Sequence, residues 1–261
     1  MLEHLRPSSE NHSISRVIAS IFVPQAFIKP DDILENLKKI KHFNSYPKKG
    51  VLKNTNIRFN NGAFNVLNDP DCKGFIFENY DSKGGLDSLF KLENTHNDTK
   101  SVISLEKRNY TRWDDFKAYF KKDLDHLLKA IDFYVSAISL NYRDEFDWNS
   151  ETNITVDQIF NTTSELLNKK FLSSKNGTLV LISQGKEKNI FEEKTEISFN
   201  NDLKKIVIDH TYAIRLEDYI LLGELRKKGE LFEIFDIAHE ENKSILKNVL
   251  TNETQKLIKI I

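Results

Sequence analysis

Thr111-Arg112-Trp113-Asp114-Asp115-Phe116-Lys117-Ala118-Tyr119-Phe120-Lys121-Lys122-Asp123-Leu124-Asp125-His126-Leu127-Leu128, followed shortly by Tyr134-Val135-Ser136-Ala137-Ile138-Ser139-Leu140-Asn141-Tyr142, decides the fold class. In the first segment Phe116, Phe120, Leu124, Leu127, Leu128 and Ile131 recur at steps of three and four, with Lys117, Lys121, Lys122, Asp125 and Lys129 mostly opposite. That is the stripe of an amphipathic helix with one buried face. Thr111 and Asp114 have capping-box spacing at its start. In the second segment the period falls to two, with Tyr134, Ile138, Leu140 and Tyr142 alternating with small residues, which predicts a strand.

Strand signals precede the helix. Ile14–Pro24 reads as a first strand, with Val17, Ala19 and Ile21 on one face, Ile18 and Phe22 on the other, and both faces covered. Pro30, Asp31 and Asp32 open a surface helix running to about Phe43. Ile57, Phe59, Phe64 and Val66 flank Asn61-Gly62, the pair that suits a two-residue hairpin turn. Strands over Gly74–Glu78, Leu86–Glu93 and Val102–Lys107, punctuated by Gly84-Gly85 and Asn97-Asp98, extend this into an antiparallel meander.

Beyond Tyr142, the polar run Asp144–Asn153 reads as an internal boundary. Thr155 is placed to cap a short helix. Thr178–Ser183 is almost wholly apolar and suits a strand covered on both faces. Thr195–Phe199 and Lys204–Tyr212 form an antiparallel pair turning at Asn200-Asn201-Asp202. Leu231, Phe235, Ala238, Ile245 and Val249 mark a long helix, and Thr251 with Glu253 starts a last short one. The expected class is α+β: two similar strand-then-helix halves, about 14–148 and 154–261, form a mostly antiparallel sheet against long helices in a single domain 1–261, after a polar lead-in 1–13.

Composition bounds the function. The 261 residues are 39% hydrophobic and 30% charged, with 38 Lys+Arg against 39 Asp+Glu, so the chain is expected to fold and to lack a general attraction for nucleic acid. A single cysteine, Cys72, leaves no internal disulfide and no multi-cysteine zinc site. The absence of an apolar leader, and of any stretch near the roughly 18 to 20 apolar residues that cross a bilayer, predicts a cytoplasmic protein with no membrane partner.

The ordered elements Asn109-Tyr110-Thr111-Arg112-Trp113-Asp114-Asp115-Phe116, Ile138-Ser139-Leu140-Asn141-Tyr142 and Ala238-His239 with Leu250-Thr251 and Glu253 resemble those of the TIGR04255 family, uncharacterised bacterial proteins of sporadic distribution. Its members carry a Tyr-x-x-Trp-x-x-Phe element before a central helix, a Leu-Arg-Tyr-Ile-Asn-like strand after it, and a helix with a histidine near the end. At the strand this chain departs: Asn141 and Asp144 stand for the family's Arg and Asn, and Arg143 follows Tyr142. The resemblance covers roughly Ile14 to Glu253. It implies length and architecture, adds no established activity, and suggests mobile-element or phage-defence neighbourhoods.

No catalytic or cofactor motif stands out, and no cofactor or metal is expected. Alternation points His210 toward the apolar side, where it needs a partner. Asp236 precedes His239 by three residues and is spaced to orient its ring, although a helix-packing or capping histidine is the default reading. Asp123 and His126 read as an exposed, solvated pair. Tyr110, Trp113, Phe116, Tyr119 and Phe120 form an aromatic group, read mainly as packing. Arg226-Lys227-Lys228 before Gly229 is a small basic cluster, read mainly as a solvated turn. The candidate catalytic residues are therefore Asp209, His210 and His239, and the candidate binding residues Tyr110, Trp113, Tyr142, Arg143 and Arg226. The expected function is a non-catalytic binding or interaction protein, a regulatory, antitoxin-like or sensor component of a bacterial defence or mobile-element module, with a protein partner or homo-oligomer. The alternative is a metal-assisted nuclease or hydrolase.

Overall fold

The computed structural model describes residues 2–9, 12–60, 63–95, 99–186 and 189–260. Its frame is one antiparallel sheet. The strands are β1 (Leu5–Pro7), β2 (Ile14–Val23), β3 (Lys48–Asn60), β4 (Ala63–Tyr80), β5 (Leu86–Thr95), β6 (Lys100–Lys107), β7 (Tyr134–Trp148), β8 (Gly177–Lys186), β9 (Ile190–Asn200) and β10 (Lys205–Leu221). Their order is β3-β4-β5-β6-β2-β7-β10-β9-β8, with β1 paired to the end of β7. The meander β3 to β6 and the meander β8 to β10 thus meet on the central pair β2 and β7.

The helices are α1 (Pro30–Lys38), α2 (Lys41–Asn44), α3 (Trp113–Leu127), α4 (Val156–Ile159), α5 (Lys169–Leu172), α6 (Leu222–Lys228), α7 (Glu230–Val249) and α8 (Asn252–Leu257). The inward phase of the central strands is apolar: Val17, Ala19 and Ile21 on β2, and Ile138, Leu140 and Tyr142 on β7, are buried. Phe116, Phe120, Leu124 and Leu127 of α3 join the same core as Leu231 and Phe235 of α7, with the Phe120 and Phe235 rings 5.6 Å apart. Each such buried side chain contributes roughly 1.5–3 kcal/mol relative to exposure.

Several sequence expectations are corrected. The outer face of β2 is open, with Phe22 38% exposed, so only one face of that strand is covered. The helix expected to reach Phe43 breaks at Ile40, whose extended backbone redirects the chain into α2 and buries Phe43. Thr111 does not cap α3: Arg112 takes the cap position and the Thr111 hydroxyl donates to Asp115 at 2.9 Å. Gly74–Glu78 is the second part of the long strand β4, not a separate strand. The Asn61-Gly62 turn and Asn97-Asp98 lie outside the described residues, although Asn60 and Ala63 face each other across the hairpin. Tyr134 is half-exposed and Val135 points inward instead, because the alternation slips a step before Ile138. The polar run read as a boundary begins inside a strand: Asp144, Glu145 and Asp147 belong to β7, which is paired on both sides. Strand β8, expected to be covered on both faces, is the sheet's edge, with Val180 47% and Ile182 70% exposed.

Two apolar cores lie on the helix side of this sheet. One gathers Tyr142, Tyr212, Ala238 and the aromatic residues of α3; the other gathers Phe146, Ile206, Ile208, Leu246 and Val249. Residues of β7, β10 and α7 belong to both, and the boundary between the cores crosses all three elements at one level.

Candidate functional site

At that boundary the inward-facing residues turn polar. On β7, Asp144 stands between Tyr142 and Phe146; on β10, His210 stands between Ile208 and Tyr212; on α7, His239 and Asn242 stand between Ala238 and Leu246. Strand pairing sets His210 opposite Tyr142 and Ile208 opposite Asp144, so these groups share one transverse seam. The Asp144 side chain is fully buried, His210 is fully buried, and Asn242 is 2% exposed.

The seam opens into a cavity of about 560 Å³ between the start of α3, the middle of α7 and the end of the chain. Trp113, at the first turn of α3, lies flat on the His239 ring, with centroids 4.8 Å apart and planes inclined by 13°. The Tyr142 hydroxyl and His239 Nδ1 are hydrogen-bonded at 2.8 Å. Tyr110 packs edge-on against Tyr142, and its carbonyl accepts a 2.5 Å bond from His12 Nε2 in the tautomer that places a proton there. The Ser13 hydroxyl donates to Asp144 Oδ1 at 2.5 Å.

Burial governs the protonation of these groups. Loss of solvent pushes the Asp144 carboxyl up to about 7, only partly opposed by the Ser13 hydroxyl. The same cause pulls the His239 imidazole down to about 4, aided by Lys243, so the ring is neutral at physiological pH. Tyr142 and Tyr110 are held above the usual phenol range, again by desolvation first.

Hydrogen bonding in the seam is incomplete. Among the described residues six buried side-chain atoms have no partner, and three of them, Asp144 Oδ2, His210 Nδ1 and Asn242 Oδ1, lie here. Buried polar atoms in native proteins are almost always satisfied, so such a concentration marks a place for something else to bond. A wider hollow of about 690 Å³ on the opposite face of the sheet is lined by Phe22, Ala137, Gln184, Arg215 and Tyr219, and none of the six atoms lines it.

The structure brings Tyr110, Trp113, Tyr142 and His239 together and separates the other candidates. Asp209 and His210 are adjacent in sequence and point to opposite faces. Asp209 accepts from Asn141 at 2.6 Å and pairs with Arg143 and Arg16 on the open face, in a network with Glu145 and Lys205. His210 Nε2 meets Glu193 at 3.0 Å, the partner its position demanded. Arg226 is not in a solvated turn: it pairs with Asp125 at 3.0 Å and lies over the Phe232 ring. Asp236 does not orient His239; it accepts from Trp113 Nε1 at 2.6 Å and from Lys117 at 2.8 Å. Nor is Asp123 an exposed partner of His126. It is fully buried, bonded to His42 Nε2 at 2.5 Å and to the Tyr46 hydroxyl at 3.0 Å, while His126 stacks on His42.

Sequence reasoning missed Ser13, Asp144 and Asn242. Asp144 carried a usable signal, since it sits in phase with Tyr142 and Phe146 on an otherwise apolar strand face. Among the described residues no three His, Cys, Asp or Glu side chains gather closely enough to hold a metal ion, and no helix is long and apolar enough to cross a membrane. No family model matches the chain, and no curated protein or solved structure is similar enough to it to count as a relative.

Proposed function

We propose that this chain is a non-catalytic binding protein and that the cavity at Trp113, His239 and Asp144 is its ligand site. The observation that carries the reading is the convergence, beside that cavity, of aromatic residues from distant parts of the chain with two buried acceptors that lack partners. Tyr110, Trp113, Tyr142 and His239, though not Asp144 or Asn242, are also among the residues that carry the resemblance to the sporadic bacterial family. That supports membership of it and a cytoplasmic role as a regulatory, antitoxin-like or sensor component of a defence or mobile-element module. The pseudo-repeat reading has support in the recurrence of a meander followed by a helix, β4-β5-β6 before α3 and β8-β9-β10 before α6 and α7. The nuclease or hydrolase alternative loses its candidate constellation, because Asp209 lies across the sheet from His210 and His239.

The test is native mass spectrometry of the chain purified from its own host without denaturation. A bound small molecule, lost on Trp113→Ala, is the expected result. A chain that elutes empty from a lysate containing its ligand pool, or one that turns over a substrate through Asp209, would overturn the reading.

A second reading concerns partners, and strand β8 favours self-association. Its sequence Thr178-Leu179-Val180-Leu181-Ile182-Ser183 leaves apolar side chains and one row of backbone groups on an open edge. Antiparallel pairing of two copies about Leu181 sets Val180 beside Ile182 of the second copy and Leu179 beside its Ser183. Such a contact is self-complementary, as two-fold symmetry requires.

A further inference from the structure

We propose that the cavity recognises a cationic nitrogen, an alkylammonium or guanidinium group, held between Asp144 Oδ2 and Asn242 Oδ1. This rests on the reading of the cavity as a ligand site and names the chemistry of its ligand. With Asp144 ionised, both orphaned atoms are oxygens that accept hydrogen bonds; both belong to side chains at least nine-tenths buried, and both residues line the same cavity. A ligand that satisfies them must present N–H or O–H groups. Charge selects among donors. Asp144 has one hydrogen bond, from a neutral hydroxyl, and a buried carboxylate without a counter-charge is costly. Of the lysines and arginines at the rim, Lys243 pairs with Glu240 at 2.8 Å, Arg112 lies 3.5 Å from Asp115, and Lys259 acts electrostatically on the His12 ring, while Asp144 Oδ2 keeps no hydrogen-bond partner. Asp114 adds a further acid to the lining, and the neutral His239 ring with Trp113 supplies an aromatic wall beside which an alkyl stem packs. An ammonium or guanidinium group meets all these conditions; a carboxylate or phosphate would be left facing two acceptors.

The experiment titrates the full chain with n-butylammonium, butylguanidinium, butyrate and butyramide. It follows the Trp113 indole N–H by two-dimensional NMR, assigned by comparison with Trp113→Phe. The two cations are expected to shift that signal saturably, and butyrate and butyramide to leave it unchanged. Asp144→Asn should weaken cation binding at least tenfold, and Asn242→Ala at least threefold, with denaturant melts establishing that each variant remains folded. A lysine-centred hexapeptide separates the sources of the charge: tighter binding than the free amine points to a partner chain, equal or weaker binding to a small solute, and either keeps the class of group. Saturable binding of butyrate instead would overturn the ligand class and leave the cavity as a binding site. Cation binding that Asp144→Asn does not weaken would overturn the proposed contacts. No response to any probe would overturn both the inference and the reading on which it rests.

Discussion

The Tyr142 hydroxyl and His239 Nδ1, 2.8 Å apart, join the central strand β7 to helix α7 at the one level where the two apolar cores part. Removing the hydroxyl leaves a buried imidazole nitrogen without a partner. Tyr142→Phe should therefore cost about 1–3 kcal/mol in urea denaturation. A loss below a few tenths would mean that the bond contributes nothing to holding α7 on the sheet.

The two titrating groups of the cavity drive stability in opposite directions. The folded-state value of His239, about 4, lies below its ordinary 6.5, so the unfolded chain binds the proton first and stability falls as pH drops through that window. For Asp144 the folded-state value, about 7, lies above 3.8, so the folded chain keeps its proton and stability falls as pH rises from about 4 to 7. Between pH 4 and 6.5 the two slopes oppose each other. Asp144→Asn should leave a stability that rises with pH across this range, and His239→Gln one that falls. Above pH 7 Asp144→Asn should stabilise the chain by roughly 2–4 kcal/mol. Chemical denaturation at half-unit pH steps provides the check, and parallel slopes in the two variants would contradict the assignment.

Asp123 is the anchor of a different cluster. It is fully buried on α3, takes bonds from His42 and Tyr46, and is held above the ordinary carboxyl range by desolvation. Asp123→Ala should cost about 3–5 kcal/mol, because it strands both partners beneath α2. A double-mutant cycle with His42→Ala should return a coupling above 0.5 kcal/mol. Additive losses would mean that the two side chains act independently.

The edge strand β8 makes a solution prediction. If Val180 and Ile182 mediate self-pairing, sedimentation should show a concentration-dependent rise in mass at micromolar concentrations. Ile182→Lys, which places a charge on the exposed row, should return the chain to a monomer without loss of stability. Identical sedimentation of the two proteins would remove the edge as an interface.

How much of this could be read from residues alone depends on where the periodicity was clean. The stripes of α3 and α7 and the alternation of β6, β9 and β10 follow directly from spacing, because each element buries one face only. Strand β8 misled because an apolar run signals double coverage only when partners exist on both sides. The Asp144–Asn153 run misled for the opposite reason: read as a boundary between halves, it begins inside β7, where Asp144 is buried in the seam, Glu145 pairs with Arg143 and Lys205, and Asp147 stands in register with β1 and β10. Of the candidate site, Tyr110, Trp113, Tyr142 and His239 were legible from the family resemblance. Their convergence with Ser13 and Asn242 was not, since it depends on how α7 crosses β7 and on long-range pairing that no local pattern encodes.

The place of β7 in the sheet has a consequence for synthesis. Strands β2 to β7 leave the ribosome before any part of β8 to β10, so for a time β7 is the unprotected margin of a half-built sheet. On its outer row the nascent margin carries Arg143, Glu145 and Asp147, charges that discourage adhesion to other unfinished chains until β10 arrives and pairs along it. The same Arg143 and Glu145 that join Asp209 and Lys205 of β10 in the finished sheet thus stand, before β10 exists, as charges on an open margin.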